Sequence, residues 1–296
     1  MKTGLIVAAL AMLLVPCLVS CDARLRVPDV TVPYAGSSEV VTVPTGKAKV
    51  IILSGQSNAA GVAWVNTLSE EEQARYAAGF PDIRISVTNE LSGNDSEGFV
   101  TTTTGWGDSK GRELFGPEVG LAEQLGSDYS GETLYIIKYS WSGAGLEDKF
   151  LPGRPGFNAL CRAIDNGLAD LRSQGLDPEI VAFCWMQGES DSPRMGTALR
   201  YEANQRSMVS SLRSRYGSFF FMDAGISSSY LWKYYARINN AKCEMDCLLD
   251  RCVFINSNYH GLVVSQSDPA HYDAPSMIKL GHLFGQQIAE HIITGE

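Results

Sequence analysis

Ser57 stands where a serine hydroxyl can be made reactive. The run Val50-Ile51-Ile52-Leu53 is apolar and β-branched, and it stops abruptly at Ser54-Gly55-Gln56-Ser57-Asn58-Ala59-Ala60-Gly61. A buried strand that ends in a sharp turn of small residues can hold one hydroxyl at the edge of a sheet. That hydroxyl is a poor nucleophile until a base takes its proton. In Asp268-Pro269-Ala270-His271, near the other end of the chain, His271 can take the proton and later return it to a leaving group. Asp268, three residues earlier, can hold the imidazole and stabilise its charged form. The implied chemistry is acyl transfer, whose tetrahedral intermediate places negative charge on the former carbonyl oxygen. Candidate donors to that oxygen are the backbone N–H groups of Ser57 and Gly143 and the side-chain amide of Gln187. One such donor lowers a barrier by about 3 kcal/mol.

Each of these residues also has a plainer reading. Ser57 suits the cap of a following helix, a position that Ser and Asn favour. Ser54 is the nearest rival serine but belongs to the strand end. The stretch Gln187-Gly188-Glu189-Ser190-Asp191 could be a polar turn with a cap. Glu189 could orient a loop or compete with Asp268 as the acid; the short spacing to His271 favours Asp268. His260, His282 and His291 read as structural or solvated.

The elements that must position these groups alternate. Apolar runs at 49–54, 133–140, 179–185, 218–223 and 251–257 read as strands covered on both faces, as in a parallel sheet. Helical spacing falls between or after them at 117–124, 158–173, 201–216 and 276–293. This order predicts a three-layer α/β/α sandwich around a central parallel sheet. Ligands of such sheets bind at the carboxyl ends of the strands. Ser57, Gly143, Gln187 and the Asp268/His271 turn all follow strand ends, so the fold should bring four distant segments to one rim. The polar stretch 67–104 reads as an insertion of helix, short strand and loop near the site. No repeat and no internal linker divides 46–296.

Composition is that of a globular domain, 45% hydrophobic and 19% charged, with a formal net charge of −9. No basic patch stands out, which argues against a nucleic-acid partner. The first twenty residues read as an export signal. Lys2 is its positive start, residues 5–18 are an apolar core too short to span a bilayer comfortably, and Leu18-Val19-Ser20-Cys21 has the form of a bacterial lipobox. Cys21 is therefore expected to carry lipid and anchor the chain to a membrane at the cell envelope, followed by a tether over 21–45. Of the other cysteines, Cys243, Cys247 and Cys252 cluster. A disulfide within the cluster is the first reading in an oxidising compartment, and a zinc site the alternative.

Five blocks carry a resemblance: GQSNAAG around Ser57, FGPEVGLA at 115–122, SWSGAGL around Gly143, WMQGESD at 185–191, and DPAH at 268–271. In this order they resemble the SGNH-hydrolase superfamily, and within it the carbohydrate esterases that include sialate O-acetylesterases and acetylxylan esterases. The resemblance implies a flavodoxin-like sandwich, removal of acetyl groups from sugars through an acetyl-enzyme, and no metal or other cofactor. It covers the chain from about residue 49 to the end. Two positions depart from the wider pattern. Gln187 replaces the usual Asn, as in the esterase branch, and Pro269 replaces the frequent Gly before the histidine. An α/β-hydrolase is excluded by the order, since its nucleophile lies mid-chain in G-x-S-x-G. A general short-chain acyl esterase or lipase, and an inactive glycan-binding surface lipoprotein, are the competing readings. Tyr234, Tyr235 and Trp232, within 227–250, could stack on sugar rings or pack internally.

Overall fold

The computed structural model describes residues 46–129 and 132–293. The signal segment 1–20, Cys21 and the tether 21–45 lie outside the described residues. The first strand, β1 (Gly46–Gly55), carries the apolar run into the interior and stops at the turn that holds Ser57. One helical turn, α1 (Ser57–Ala60), follows at once, then β2 (Ala63–Trp64). Next come α2 (Glu70–Ala78), β3 (Phe80–Asn89), β4 (Val100–Thr102) and β5 (Leu114–Phe115). The remainder alternates regularly: α3 (Glu118–Asp128), β6 (Leu134–Ser140), α4 (Pro155–Ser173), β7 (Leu176–Met186), α5 (Met195–Tyr216), β8 (Phe220–Ala224), α6 (Tyr235–Leu248), β9 (Cys252–Ile255) and α7 (Ala274–Ile288).

Seven strands form one sheet in the order β4-β3-β6-β1-β7-β8-β9, parallel except for β4 at the edge. Helices cover both faces, so the central strands read as continuous apolar runs. Within this order, β6-β1-β7-β8-β9 is the flavodoxin-like 2-1-3-4-5 arrangement, with β3 and β4 added outside β6. From β1 the chain first fills one side, with β3, β4 and then β6, and later the other, with β7, β8 and β9. A crevice opens at such a switch point, outside the carboxyl ends of the strands. Ser57 lies directly after the carboxyl end of β1. On one face α3 and α7 pack almost backbone to backbone: a methyl group on Gly281 would meet the Pro117 carbonyl oxygen at 2.2 Å.

Two segments differ from expectation. The 67–104 stretch holds the expected helix, α2, and a short strand, β4, but it also contributes a full strand to the central sheet. Its β3 has ten residues and pairs in parallel with β6 from Ile83 to Asn89. Ile83, Ile85 and Val87 point inward while the residues between them are half-exposed, so its signal has period two and is diluted by polar residues. The 227–250 segment, outside the expected helices, is largely the helix α6. Trp232, Tyr234 and Tyr235 are half-buried against the core, which favours the packing reading over sugar stacking.

The expected disulfide is absent, and the five described cysteines are free thiols. Helix α6 sets Cys243 and Cys247 one turn apart on an exposed face. Cys252 is buried on β9, with its sulfur 3.8 Å from the Arg213 guanidinium. The three do not form the zinc alternative either: no group of three His, Cys, Asp or Glu suited to a metal occurs among the described residues.

Candidate active site

The turn that carries the candidate nucleophile is built by a glycine that a side chain cannot replace without a clash. Gly55 has φ 145°, and a methyl group there would meet the Met186 carbonyl oxygen at 1.9 Å. The close approach lets Gln56 N–H donate to the same Met186 oxygen (3.0 Å), clamping the end of β1 to the end of β7. The Gln56 carbonyl then accepts from Ala59 and Ala60 (2.9 and 2.8 Å) and closes α1. Gln56, not Ser57, is the N-cap, so the capping reading of Ser57 falls away. The Ser57 hydroxyl and backbone N–H have no partner among the described residues. Ser54 is wholly enclosed in the strand, which removes it as a rival.

His271 and Asp268 meet across one tight turn. His271 Nδ1 and Asp268 Oδ2 are 2.6 Å apart. His271 N–H donates to the Asp268 carbonyl (3.2 Å) and Ala270 N–H to Asp268 Oδ1 (3.2 Å). Asp at the first and Pro at the second position are what a type I turn favours, so Pro269 suits the geometry that joins acid to imidazole. The turn is anchored on both sides. Ser265 N–H donates to the His271 carbonyl (2.8 Å), and Asp273 caps α7 through the Ser276 N–H (2.9 Å).

The structure does not join Ser57 and His271 by a direct hydrogen bond. It joins their turns through Asn58. The Asn58 side chain accepts from Tyr272 N–H (3.1 Å) and donates to Glu189 Oε1 (2.7 Å), with the Ala270 carbonyl at 3.5 Å. The residue after the candidate nucleophile thus holds both neighbours of the candidate base. Sequence reasoning quoted Asn58 in its motif without giving it this role; its place beside Ser57 was the only signal. Catalytic hydrogen bonds are often long before substrate binds.

Glu189 is buried and held by Asn58, while its Oε2 has no partner. Burial pushes its carboxyl above the usual carboxylate range, against the Asn58 hydrogen bond and the more distant Lys242 and His271 charges. Asp268, not Glu189, is the carboxylate bonded to the imidazole.

The candidate oxyanion donors part company. Gly143 lies in a loop pinned to the nucleophile turn by Trp141 N–H donating to the Gly55 carbonyl (3.1 Å). Its φ of 73° turns the backbone, and its N–H has no partner among the described residues. Gln187 differs from expectation. Its amide nitrogen faces Asp191 Oδ2 (2.6 Å), the Ala144 carbonyl (3.1 Å) and Gln56 Oε1 (3.3 Å), and its oxygen accepts from Tyr201 (2.9 Å). Two amide hydrogens among three acceptors leave none for a substrate. The fully buried Gln187 is a cross-link between loops. Asp191, which accepts also from Leu146 N–H (2.8 Å), is its counterpart and was not foreseen. The remaining histidines of the chain's end are structural: His282 bonds Glu123 (2.9 Å) and His291 stacks on Phe220.

Two hollows border the site. One, of about 140 Å³, is lined by Ala63, Trp64, Thr67, Asp268 and His271. The other, of about 560 Å³, lies beside Gly143 and is lined by Arg154, Arg194 and Arg200 and by the carboxylates Glu147, Asp148 and Asp191. Arg200 is paired with Glu147 (2.8 Å), whereas the Arg154 and Arg194 guanidiniums have no partner among the described residues.

The sequence profile of the family described as carbohydrate esterase, sialic acid-specific acetylesterase matches residues 47–290. The chain belongs to this family. It is accordingly a carboxylic ester hydrolase, an acetylesterase of the carbohydrate type. No curated protein sequence matches it. Solved structures share the fold at low identity. A protein from Arabidopsis thaliana is 19% identical with a TM-score of 0.64, over 83% of this chain and 99% of that one. NanS is 14% identical with a TM-score of 0.59, over 85% and 98%. A carbohydrate acetylesterase from Xanthomonas citri is 16% identical with a TM-score of 0.57, over 83% and 57%.

Proposed function

We propose that this family member is a serine esterase that removes O-acetyl groups from an acidic sugar of the sialic acid type. The observation that carries the mechanism is the 2.6 Å contact of His271 Nδ1 with Asp268 Oδ2, on a turn that Asn58 ties to Ser57. With Nδ1–H donating to Asp268, Nε2 is left to accept the Ser57 proton. Ser57 Oγ attacks the acetyl carbon, and the carbonyl π-electrons move to oxygen. The free N–H groups of Ser57 and Gly143 receive that oxyanion. Collapse breaks the bond to the sugar oxygen, which takes the proton from His271. Water, deprotonated by the same imidazole, then releases acetate and restores Ser57. Gln187 acts in this scheme by holding the loops, not by touching the oxyanion.

The 140 Å³ hollow beside His271 suits an acetyl group and disfavours long acyl chains, against the general esterase or lipase reading. The larger hollow beside Gly143 suits the sugar. Its carboxylates Glu147, Asp148 and Asp191 are engaged by Arg200, Lys149 and Gln187, and the unpaired Arg154 and Arg194 then favour a carboxylate-bearing sugar over neutral xylan. Acetate release from 4-nitrophenyl acetate tests the mechanism directly. We expect activity in the parent and a loss of several orders of magnitude in Ser57→Ala. An inactive, folded parent would favour the glycan-binding reading, and equal rates on acetyl and octanoyl esters would end the acetyl assignment. Replacing Arg154 and Arg194 with Ala should raise KM on O-acetylated sialic acid and leave acetylxylan unchanged; equal effects on both would end the acidic-sugar assignment.

We also infer an exported protein held at the bacterial cell envelope by lipid on Cys21, on the strength of the lipobox. Cys21→Ser should release it from the membrane fraction; retention would refute the anchor.

A further inference from the structure

Lys138 is fully buried on β6, and the chemistry above does not use it. A buried ammonium is costly, so its partners are informative. Nζ donates to the Ala60 carbonyl (2.7 Å), the Trp106 carbonyl (3.0 Å) and Glu118 Oε2 (2.8 Å). These three acceptors match the three hydrogens of the charged form; a neutral amine would leave one of them unserved. Glu118, equally buried at the start of α3, accepts the Gly116 N–H with its other oxygen (2.9 Å).

The two carbonyls belong to two different halves of the site. Ala60 ends α1, three residues after Ser57. Trp106 opens the segment 106–108, whose Asp108 N–H donates to the Gly61 carbonyl (2.8 Å). The Asp108 carboxylate accepts the hydroxyl of Ser142, the residue before Gly143. Hydrogen bonds joined by short stretches of backbone therefore link Glu118 and Lys138 to the Ser57 turn on one side and to the Gly143 loop on the other.

We propose that Lys138 and Glu118 are positioning residues that set the Ser57 N–H and the Gly143 N–H at the spacing the oxyanion requires. The proposal rests on the serine-esterase reading. It predicts a loss in turnover rather than in ground-state binding, because the oxyanion exists only after attack. A purely structural ion pair predicts otherwise: exchanging both members for apolar residues of similar volume is often neutral or stabilising.

The decisive protein is the double variant Lys138→Met with Glu118→Leu, which buries no lone charge. We expect it to melt cooperatively near the parent temperature, with kcat on 4-nitrophenyl acetate down about 30-fold or more and KM within about threefold. Asp108→Asn cuts the outer link while leaving the Lys138–Glu118 pair and its hydrogen bonds in place, and, like Asp108→Ala, should lower kcat about tenfold with KM unchanged. If the double variant does not fold, the two Asp108 variants decide. Parent-like kcat in the folded double variant, or in the Asp108 variants when they decide, overturns the proposal, as does a loss carried by KM. Ser57→Ala, measured alongside, separates the two levels. If it is inactive while the positioning variants match the parent, only this inference fails; if it is as active as the parent, the esterase mechanism and this inference fall together.

Discussion

Asp268 is half-exposed and His271 about one-quarter exposed, so their contact is worth little as a stabilising ion pair. Its value is orientation: it fixes the tautomer and ring plane of the proposed base. Asp268→Asn should therefore lower kcat by two to four orders of magnitude, roughly, while leaving the melting temperature almost unmoved. A large drop in melting temperature would mean that the turn itself had collapsed. Glu189 presents the opposite case, buried, short of a partner, and with its carboxyl pushed up. Its folded pKa lies above the unfolded value of about 4. The stability it contributes is full below that unfolded value and is lost as pH rises through the folded one. Glu189→Gln stays neutral and can still accept from Asn58, so its stability should fall less than the parent's as pH rises above about 4. Asp191 is also pushed up by burial and Asp223 is pushed up to about 6, so the difference between the two proteins is the readout. Parallel melting curves from pH 4 to 8 would refute it.

Elements reach the site only through their ends. The His271 turn feeds directly into α7, and α7 is seated on α3 through glycines. A methyl group on Gly120 would meet the Ile278 carbonyl oxygen at 2.0 Å, too close for any rotamer to relieve. Gly120→Ala must push the two helices apart, and should cost about 1–3 kcal/mol. Calorimetry would show this as a lower melting temperature; an unchanged one would contradict the packing. Helix α6 is hard to read from the sequence because its apolar stripe is thin, only Ile238, Ala241 and Met245 being buried hydrophobics. Strand β3 is hard to read because its inward residues alternate with polar ones, whereas the other central strands are apolar on both faces.

For the whole molecule, burial sorts the thiols. Cys243 and Cys247 are exposed, while Cys161, Cys184 and Cys252 are buried and held above the ordinary thiol range by desolvation. In protein lacking residues 1–21, a chromogenic disulfide reagent should titrate two thiols quickly and the other three only on unfolding. No fast thiol would indicate that Cys243 and Cys247 had become oxidised. The sequence by itself determined the fold class, through apolar runs separated by helical spacing, and the residue types at the rim, through the turns that end those runs. Both are local signals, and local patterns survive in a linear string. It also put Asp268 three residues from His271, a separation that one turn closes. Only the tertiary structure decided that Asn58 ties the serine turn to the histidine turn, that Gln187 spends its amide on Asp191 and Ala144, and that Lys138 lies under both halves of the site. Apart from the Gln187–Asp191 contact, four residues apart, those facts join segments distant in the chain, and what a buried polar side chain does is settled by which partners the fold brings within hydrogen-bond reach.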